Sequence, residues 1–230
     1  MLIGGIQKTS LLDYPGKISA IIFTQGCNFR CPYCHNPELL KTEENASFVS
    51  VSSVLDFLKT RIGKLDGVVI TGGEPCLNKD LPEFIKIIRQ MGFLVKLDTN
   101  GSFPGMLEEL INNNLIDYIA MDIKAPFDKY NSIAGCNIDI KKVKKSIKLV
   151  IESGIDYEFR TTVVKSMLTY DDFEKIGNEI HGAKRYYLQK FVPTKTLAEE
   201  LLRTSENYPE TELLKICEKL RLHVNFVHVR

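Results

Sequence analysis

The stretch Gln25 to Asn36, QGCNFRCPYCHN, carries Cys27, Cys31 and Cys34 in the spacing C-x3-C-x2-C, with Tyr33 directly before the last thiol. Thiolates so close together suit a soft or borderline metal. Tetrahedral zinc and fully ligated iron–sulfur centres take four protein ligands, whereas three leave one coordination position for something else. His35 could complete a Cys3His zinc site. It follows Cys34 without a gap, however, and ligand pairs in structural zinc sites are normally separated by two or more residues. A disulfide framework is not expected, because the chain shows no secretory signal and is rich in apolar residues. Cys76, Cys136 and Cys217 lack a partner at ligand spacing, and Cys217, on an expected helix, reads as a small buried hydrophobe.

The segment that delivers the cysteines is Ile18 to Thr24, ISAIIFT, a continuous apolar run of the kind buried on both faces of a parallel sheet. Ahead of it, LLDYPGK (Leu11 to Lys17) holds the turn signal Pro15-Gly16 and reads as a cap. After the cysteines, Ser50 to Arg61 places Val51, Val54, Leu55 and Leu58 at helical spacing behind serine caps, and Gly67 to Thr71 is the next strand. The rhythm repeats. Helices are expected at 81–91, 106–113, 141–153, 171–180 and 209–220, and strands at 94–98, 118–123, 157–164 and 184–191. Residues 223–229 read as an edge strand or a tail. Lys141, Lys142, Lys144, Lys145 and Lys148 read as the solvated face of their helix. About six strands alternating with helices imply a parallel sheet with right-handed crossovers, either doubly wound or curled into a partial barrel. No repeat or linker interrupts them, so residues 1–230 are expected to form one domain. In either architecture ligands gather beyond the C-terminal ends of the strands.

Those ends are rich in polar residues. The second strand runs into Gly72-Gly73-Glu74-Pro75, where paired glycines admit close approach of a ligand, and where no Lys-Ser or Lys-Thr follows to make a phosphate loop. The third ends in Leu97-Asp98-Thr99-Asn100-Gly101 and the fourth in Met121-Asp122-Ile123-Lys124. Taken singly these are also ordinary turn chemistry or a surface ion pair. Arg160, on the fifth strand, needs an anionic partner if it points inward, either a cofactor or an internal carboxylate. Gln189, on the sixth, faces either a ribose or a structural hydrogen-bond partner.

C-x3-C-x2-C with an aromatic before the third cysteine resembles the radical S-adenosylmethionine (radical SAM) enzymes, and GGEP one strand later resembles their GGE motif. LDTNG and D-x-K are similar to the matching elements of the glycyl-radical-enzyme activases, the branch that includes the activators of pyruvate formate-lyase and of anaerobic ribonucleotide reductase. The opening KTSLLDYPGKISAIIFTQGCNFRCPYCHNPEL, with MDIKAP and LQKFVP, looks most like the anaerobic ribonucleoside-triphosphate reductase activating proteins. The resemblance implies a partial (β/α)6 TIM-type barrel and a four-iron four-sulfur (4Fe-4S) cluster on Cys27, Cys31 and Cys34. The fourth iron would be chelated by S-adenosylmethionine. Gly72, Gly73 and Glu74 would receive the methionine amino group, and Tyr33, Asp98, Thr99, Asp122, Lys124, Arg160 and Gln189 would line the cofactor. The two aspartates would also be able to help hold a monovalent cation. The implied reaction is reductive cleavage of S-adenosylmethionine to a 5′-deoxyadenosyl radical, which takes a hydrogen atom from a glycine of the partner. The electron would come from an external donor of flavodoxin or ferredoxin type. The catalytic groups are then the cluster and cofactor ligands themselves.

Global properties leave the partner to local features. Lys plus Arg number 30 against 29 Asp plus Glu, a net charge of +1, so no overall field favours nucleic acid or anionic membrane. No apolar run approaches the roughly 20 residues of a membrane span, and a cytoplasmic setting is expected. Three other readings compete: a radical SAM enzyme acting on a small molecule or nucleoside, an activator of a pyruvate formate-lyase-like enzyme, and a non-enzymatic zinc or iron–sulfur module.

Overall fold

The computed structural model describes residues 1–40, 48–192, 197–198 and 206–230. In chain order its regular elements begin with β1 (Ile3–Ser10), β2 (Ser19–Thr24), α1 (Val51–Lys59), β3 (Gly67–Gly72), α2 (Leu81–Gln90), β4 (Leu94–Thr99), α3 (Pro104–Asn112) and β5 (Tyr118–Asp122). They continue with α4 (Tyr130–Ala134), α5 (Ile140–Glu152), β6 (Asp156–Val163), α6 (Tyr170–Glu179), β7 (Tyr186–Lys190), α7 (Glu210–Leu220) and β8 (Val227–Val229). Every strand and helix expected from periodicity is present. Pro193, the end of LQKFVP, lies outside the described residues.

By internal contacts the chain divides into two compact units. The first comprises Met1–Asn28, Glu38–Thr99 and Phe103–Ile119; the second comprises Phe29–Pro37, Asn100–Ser102 and Ala120–Arg230. In the first, β2, β3 and β4 are parallel neighbours, with Ile21 opposite Val69 and Val69 opposite Lys96. β1 adds to β2 antiparallel. The apolar-pattern reading passed over β1, because Gly4, Gly5 and the polar residues Gln7 to Ser10 carry little strand propensity. Pairing with β2 is what makes it a strand. Ile22, Val68, Ile70, Val95 and Leu97 are fully buried, as strands covered on both faces require. α1 lays Val54 and Leu58 on them and α2 adds Leu81, Phe84, Ile85 and Ile88, each such side chain contributing about 1.5–3 kcal/mol. Ser50 caps α1 as expected, its side chain accepting from the Ser53 N–H. LLDYPGK packs by Tyr14, whose ring meets Tyr118 at 5.9 Å.

In the second unit β6, β7 and β8 are parallel, which resolves residues 227–229 as a strand rather than a tail. Phe159, Tyr186 and Leu188 are buried on one face, while Arg160, Thr162 and Gln189 share the other by alternation, Thr162 standing opposite Gln189. Val143, Ile147 and Val150 form the buried side of α5, and the lysines between them are exposed. α6 begins with a capping box in which Thr169 and Asp172 satisfy each other's backbone N–H groups. The short α4 carries too few turns to show a period, and went unread for that reason.

Candidate functional site

In the first unit, the turn after β3 is stacked on the chain that leaves β2 for Cys27. The Gly73 N–H donates to Thr24 O at 2.9 Å and the Glu74 N–H to Gly26 O at 2.8 Å. Gly72 has φ +113°, and a Cβ on Gly73 would stand 2.0 Å from Gly26 O. The position a side chain would take at each glycine is occupied by the protein's own backbone, Thr24 beside Gly72 and Gly26 beside Gly73. These glycines are required to seat the Cys27 segment. The turn they form and the segment that leads to Cys27, well separated in sequence, are one local structure.

Glu74 is fully buried. Its Oε1 accepts from the Cys76 N–H at 3.0 Å and from the Thr99 hydroxyl at 2.8 Å, which ties the end of β3 to the end of β4. Cys76 is buried beside it, and burial followed by the Glu74 charge pushes its thiol well above the ordinary range. Asp98 accepts a hydrogen bond from the Nζ of Lys96, two residues earlier on the same face of β4. Lys96 was missed from sequence. The available signal was a lysine inside an otherwise apolar strand, LVKLDT.

In the second unit the rest of the cysteine loop is held by α4. Phe29 meets Tyr130 edge-on at 6.4 Å, and the Arg30 N–H donates to Ala134 O at 2.8 Å. α4 ends in Gly135 at φ +67°, where a Cβ would lie 2.2 Å from Arg30 O, so only glycine fits this closure. Cys31 and Cys34 are joined by a turn, the Cys34 N–H donating to Cys31 O at 3.0 Å. Burial pushes the Cys31 thiol up to about 11, partly offset by Lys124. The Tyr33 hydroxyl is buried with no hydrogen-bond partner among the described residues. His35 lies at the surface, its ring 5.6 Å from Phe191 and Nε2 3.2 Å from Val192 O, a loop-packing role.

Asp122, Lys124 and Arg160 form one network. Arg160 Nε donates to Asp122 Oδ1 at 2.9 Å and Lys124 Nζ to Oδ2 at 2.9 Å. The internal carboxylate is thus a partner of Arg160, and the pair is no surface accident. Burial alone would raise the Asp122 carboxyl, but Arg160 and Lys124 reverse it and hold it down to about 2. Burial likewise opposes the Lys124 charge, and Asp122 outweighs it, leaving the ammonium well above its ordinary pKa. Lys124 Nζ also lies 6.0 Å from the Tyr33 ring centroid, so Tyr33, Lys124, Asp122 and Arg160 are brought together. Tyr130 braces them, its hydroxyl donating to Asp122 O at 3.4 Å. Gln189 sits half-buried on the Arg160 face.

Cys217 is buried on α7, as expected of a small hydrophobe. None of the six cysteines is joined in a disulfide. Among the described residues no three His, Cys, Asp or Glu side chains converge as they would around a single metal ion. The ligands of a multi-iron cluster each reach a separate iron and need not converge on one point.

The radical SAM superfamily pattern matches residues 21–180. A Methanocaldococcus jannaschii protein named as a candidate glycyl-radical enzyme activating enzyme is 36% identical over 235 residues, covering 100% of this chain and 95% of its own length. The 7-carboxy-7-deazaguanine synthase of Aquifex aeolicus is 31% identical over 217 residues, covering 94% of this chain and 85% of its own. Among solved structures, SuiB of Streptococcus suis bound to S-adenosylmethionine shares the fold with a TM-score of 0.70 at 15% identity, over 91% of this chain and 49% of that one. The α/β architecture with its parallel sheet is that of the partial (β/α)6 barrel the motifs implied. With the pattern spanning most of the residues and a relative aligned from end to end, the chain belongs to the radical SAM superfamily.

Proposed function

We propose that this radical SAM enzyme activates a glycyl radical enzyme, with an anaerobic ribonucleoside-triphosphate reductase as the partner. The observation that carries the reading is the 36% identity with the M. jannaschii activating-enzyme candidate, over 100% of this chain and 95% of that protein. The choice of reductase rests on KTSLLDYPGK, MDIKAP and LQKFVP. The loops after β4 and β6 are short, 100–103 and 164–169, and leave little chain there to enclose a small substrate, which supports a macromolecular one, while the connections 25–50 after β2 and 191–209 after β7 are longer.

Radical SAM enzymes use a 4Fe-4S cluster and S-adenosylmethionine, and the residues present fit both. A thiol as buried as Cys31 gives up its proton only against strong positive charge, which iron supplies. The partnerless, buried Tyr33 hydroxyl marks a group that a ligand completes. When bound, cluster and cofactor supply reductive cleavage of the sulfonium and hydrogen-atom abstraction from carbon. Cys27, Cys31 and Cys34 would hold three irons and leave the fourth to the cofactor. Gly72, Gly73 and Glu74 would receive the methionine amino group, and Asp98, Thr99, Asp122 and Lys124 would surround the cofactor. Lys124 stays cationic and can meet a carboxylate, while Arg160 pins Asp122 so that it cannot swing away. Gln189 would face the ribose. One domain over residues 1–230, a cytoplasmic setting and an external one-electron donor of flavodoxin or ferredoxin type belong to the same reading.

The test is electron paramagnetic resonance of the reconstituted, reduced enzyme with S-adenosylmethionine and the reductase. A glycine-centred doublet is expected, lost when the partner's radical glycine is changed to alanine. The Aquifex relative favours a second reading, an enzyme acting on a small molecule. A silent reductase together with 5′-deoxyadenosine release stimulated by a nucleoside or other small heterocycle would replace the first reading with the second.

A further inference from the structure

Lys96 is the least expected side chain of the first unit. It lies in the middle of β4, flanked by Val95 and Leu97, with 2% of its side chain exposed. Its Nζ donates to Asp98, whose side chain is 15% exposed, and stands 6.0 Å from the centroid of the Tyr118 ring. A buried ammonium loses its hydration, and a buried ion pair is commonly no more stabilising than an apolar residue of the same volume. Methionine would fill this strand position without that cost. What lysine adds is a fixed positive charge beneath one particular carboxylate. The second unit repeats the device, since Asp122 is held between Arg160 and Lys124. Each of the two strand-end aspartates therefore meets a cation supplied by the chain itself.

We propose that Lys96 is the built-in counter-cation of Asp98, a positioning residue that holds this carboxylate aimed from the end of β4, so that no dissolved monovalent cation is needed there. The proposal rests on the placement of Asp98 beside S-adenosylmethionine made above. A tethered ammonium is always present, whereas a dissolved cation must bind and be desolvated. Asp98 is thereby set for the cofactor before it arrives.

The experiment measures S-adenosylmethionine affinity of the anaerobically reconstituted protein by equilibrium dialysis, in buffers whose cation is potassium, sodium or the bulky tetramethylammonium. Wild type is expected to bind equally in all three. Lys96→Met is expected to keep its iron, with a melting temperature lowered by the loss of the Asp98 pair, and to bind about tenfold more weakly in tetramethylammonium, with at least half of the loss in binding restored by potassium or methylammonium. In an Asp98→Asn background the same substitution should add nothing. Lys96→Arg, which keeps the charge, should stay within about twofold of wild type. Should Lys96→Met yield no folded protein, Lys96→Gln removes the same charge with a polar side chain and is read in the same way. Wild-type binding that needs potassium, or a charge-free variant that binds normally while Asp98→Asn is impaired, overturns the role of Lys96. Normal binding by Asp98→Asn itself refutes instead the placement of Asp98 on which the proposal rests.

Discussion

Glu179, the last residue of α6, ties down the loop that follows Lys124. It accepts a 2.7 Å hydrogen bond from the Phe127 N–H through Oε1, while Oε2 is buried with no hydrogen-bond partner among the described residues. Burial is the main cause that raises its pKa from 4.5 to about 7; the Phe127 N–H, Lys144 and Lys175 oppose the rise and Asp128 adds to it. The unfolded chain gives up this proton near pH 4.5 and the folded chain near 7, so between them the native state binds more protons. Stability from this group is thus fully present below pH 4.5 and lost as pH climbs through about 7. Glu179→Gln keeps an oxygen for the Phe127 N–H and abolishes the charge. A shift from 4.5 to about 7 has a ceiling of about 3.4 kcal/mol at 1.36 kcal/mol per unit. The residue is only half-buried, water screens it, and about 1–2 kcal/mol is the expected gain for the variant above pH 7. Urea unfolding of the metal-free protein at a series of pH values measures this directly. The gap between variant and wild type should be widest near pH 8 and should close towards pH 4.5. A variant less stable than wild type at pH 8, or a gap that ignores pH, would refute the reasoning.

Reconstitution with iron and sulfide should load about four irons, and Cys27→Ala, Cys31→Ala or Cys34→Ala should each abolish loading while Cys76→Ala, Cys136→Ala or Cys217→Ala does not; colorimetric iron assay decides. Glu74→Ala and Lys124→Ala should keep iron yet weaken S-adenosylmethionine binding by about 1.5–3 kcal/mol each, and unchanged affinity in both places the cofactor elsewhere. Gly73→Ala, whose Cβ would meet Gly26 O at 2.0 Å, should cost about 2–3 kcal/mol in urea unfolding and impair iron loading. A cost below about 0.5 kcal/mol would show that the turn can move aside. Asp122→Ala takes from Arg160 and Lys124 the carboxylate held between them and should lose about 3–5 kcal/mol, whereas a loss no larger than that of a surface substitution would mean that this network does not brace the strand ends.

The chemistry was legible because it depends on residue types at short spacing. Three thiols within one loop, and polar tetrads directly after apolar runs, are visible in one dimension. The support of those residues was not. Sequence offered the GGEP glycines as room for a ligand, and only folding showed that their side-chain positions face the backbone of Thr24 and Gly26, since which backbone crosses another is a tertiary matter. Arg160 was correctly read as needing an anion, but only folding decided that Asp122 supplies it. Lys96, Tyr130 and Glu179 escaped notice because each acts on a residue that is itself the recognisable one.

By itself the sequence determined the alternation of strands and helices, the superfamily resemblance and the three cysteines proposed to hold a cluster. These follow from local burial periodicity and from ligand chemistry, both encoded within a few residues. Tertiary structure decided what depends on neighbours distant in the chain. β1, rich in glycine and polar residues, is a strand only because β2 offers its edge. α4 matters through what folding brings to it, Gly135 closing on Arg30 and Tyr130 reaching Phe29 and Asp122. The carboxylate of Asp122 is an acid held down to about 2 rather than an ordinary surface aspartate only because β6 brings Arg160 within 2.9 Å of it. Charge and desolvation act through space, and a spacing rule along the chain carries no information about which charges folding will bring together.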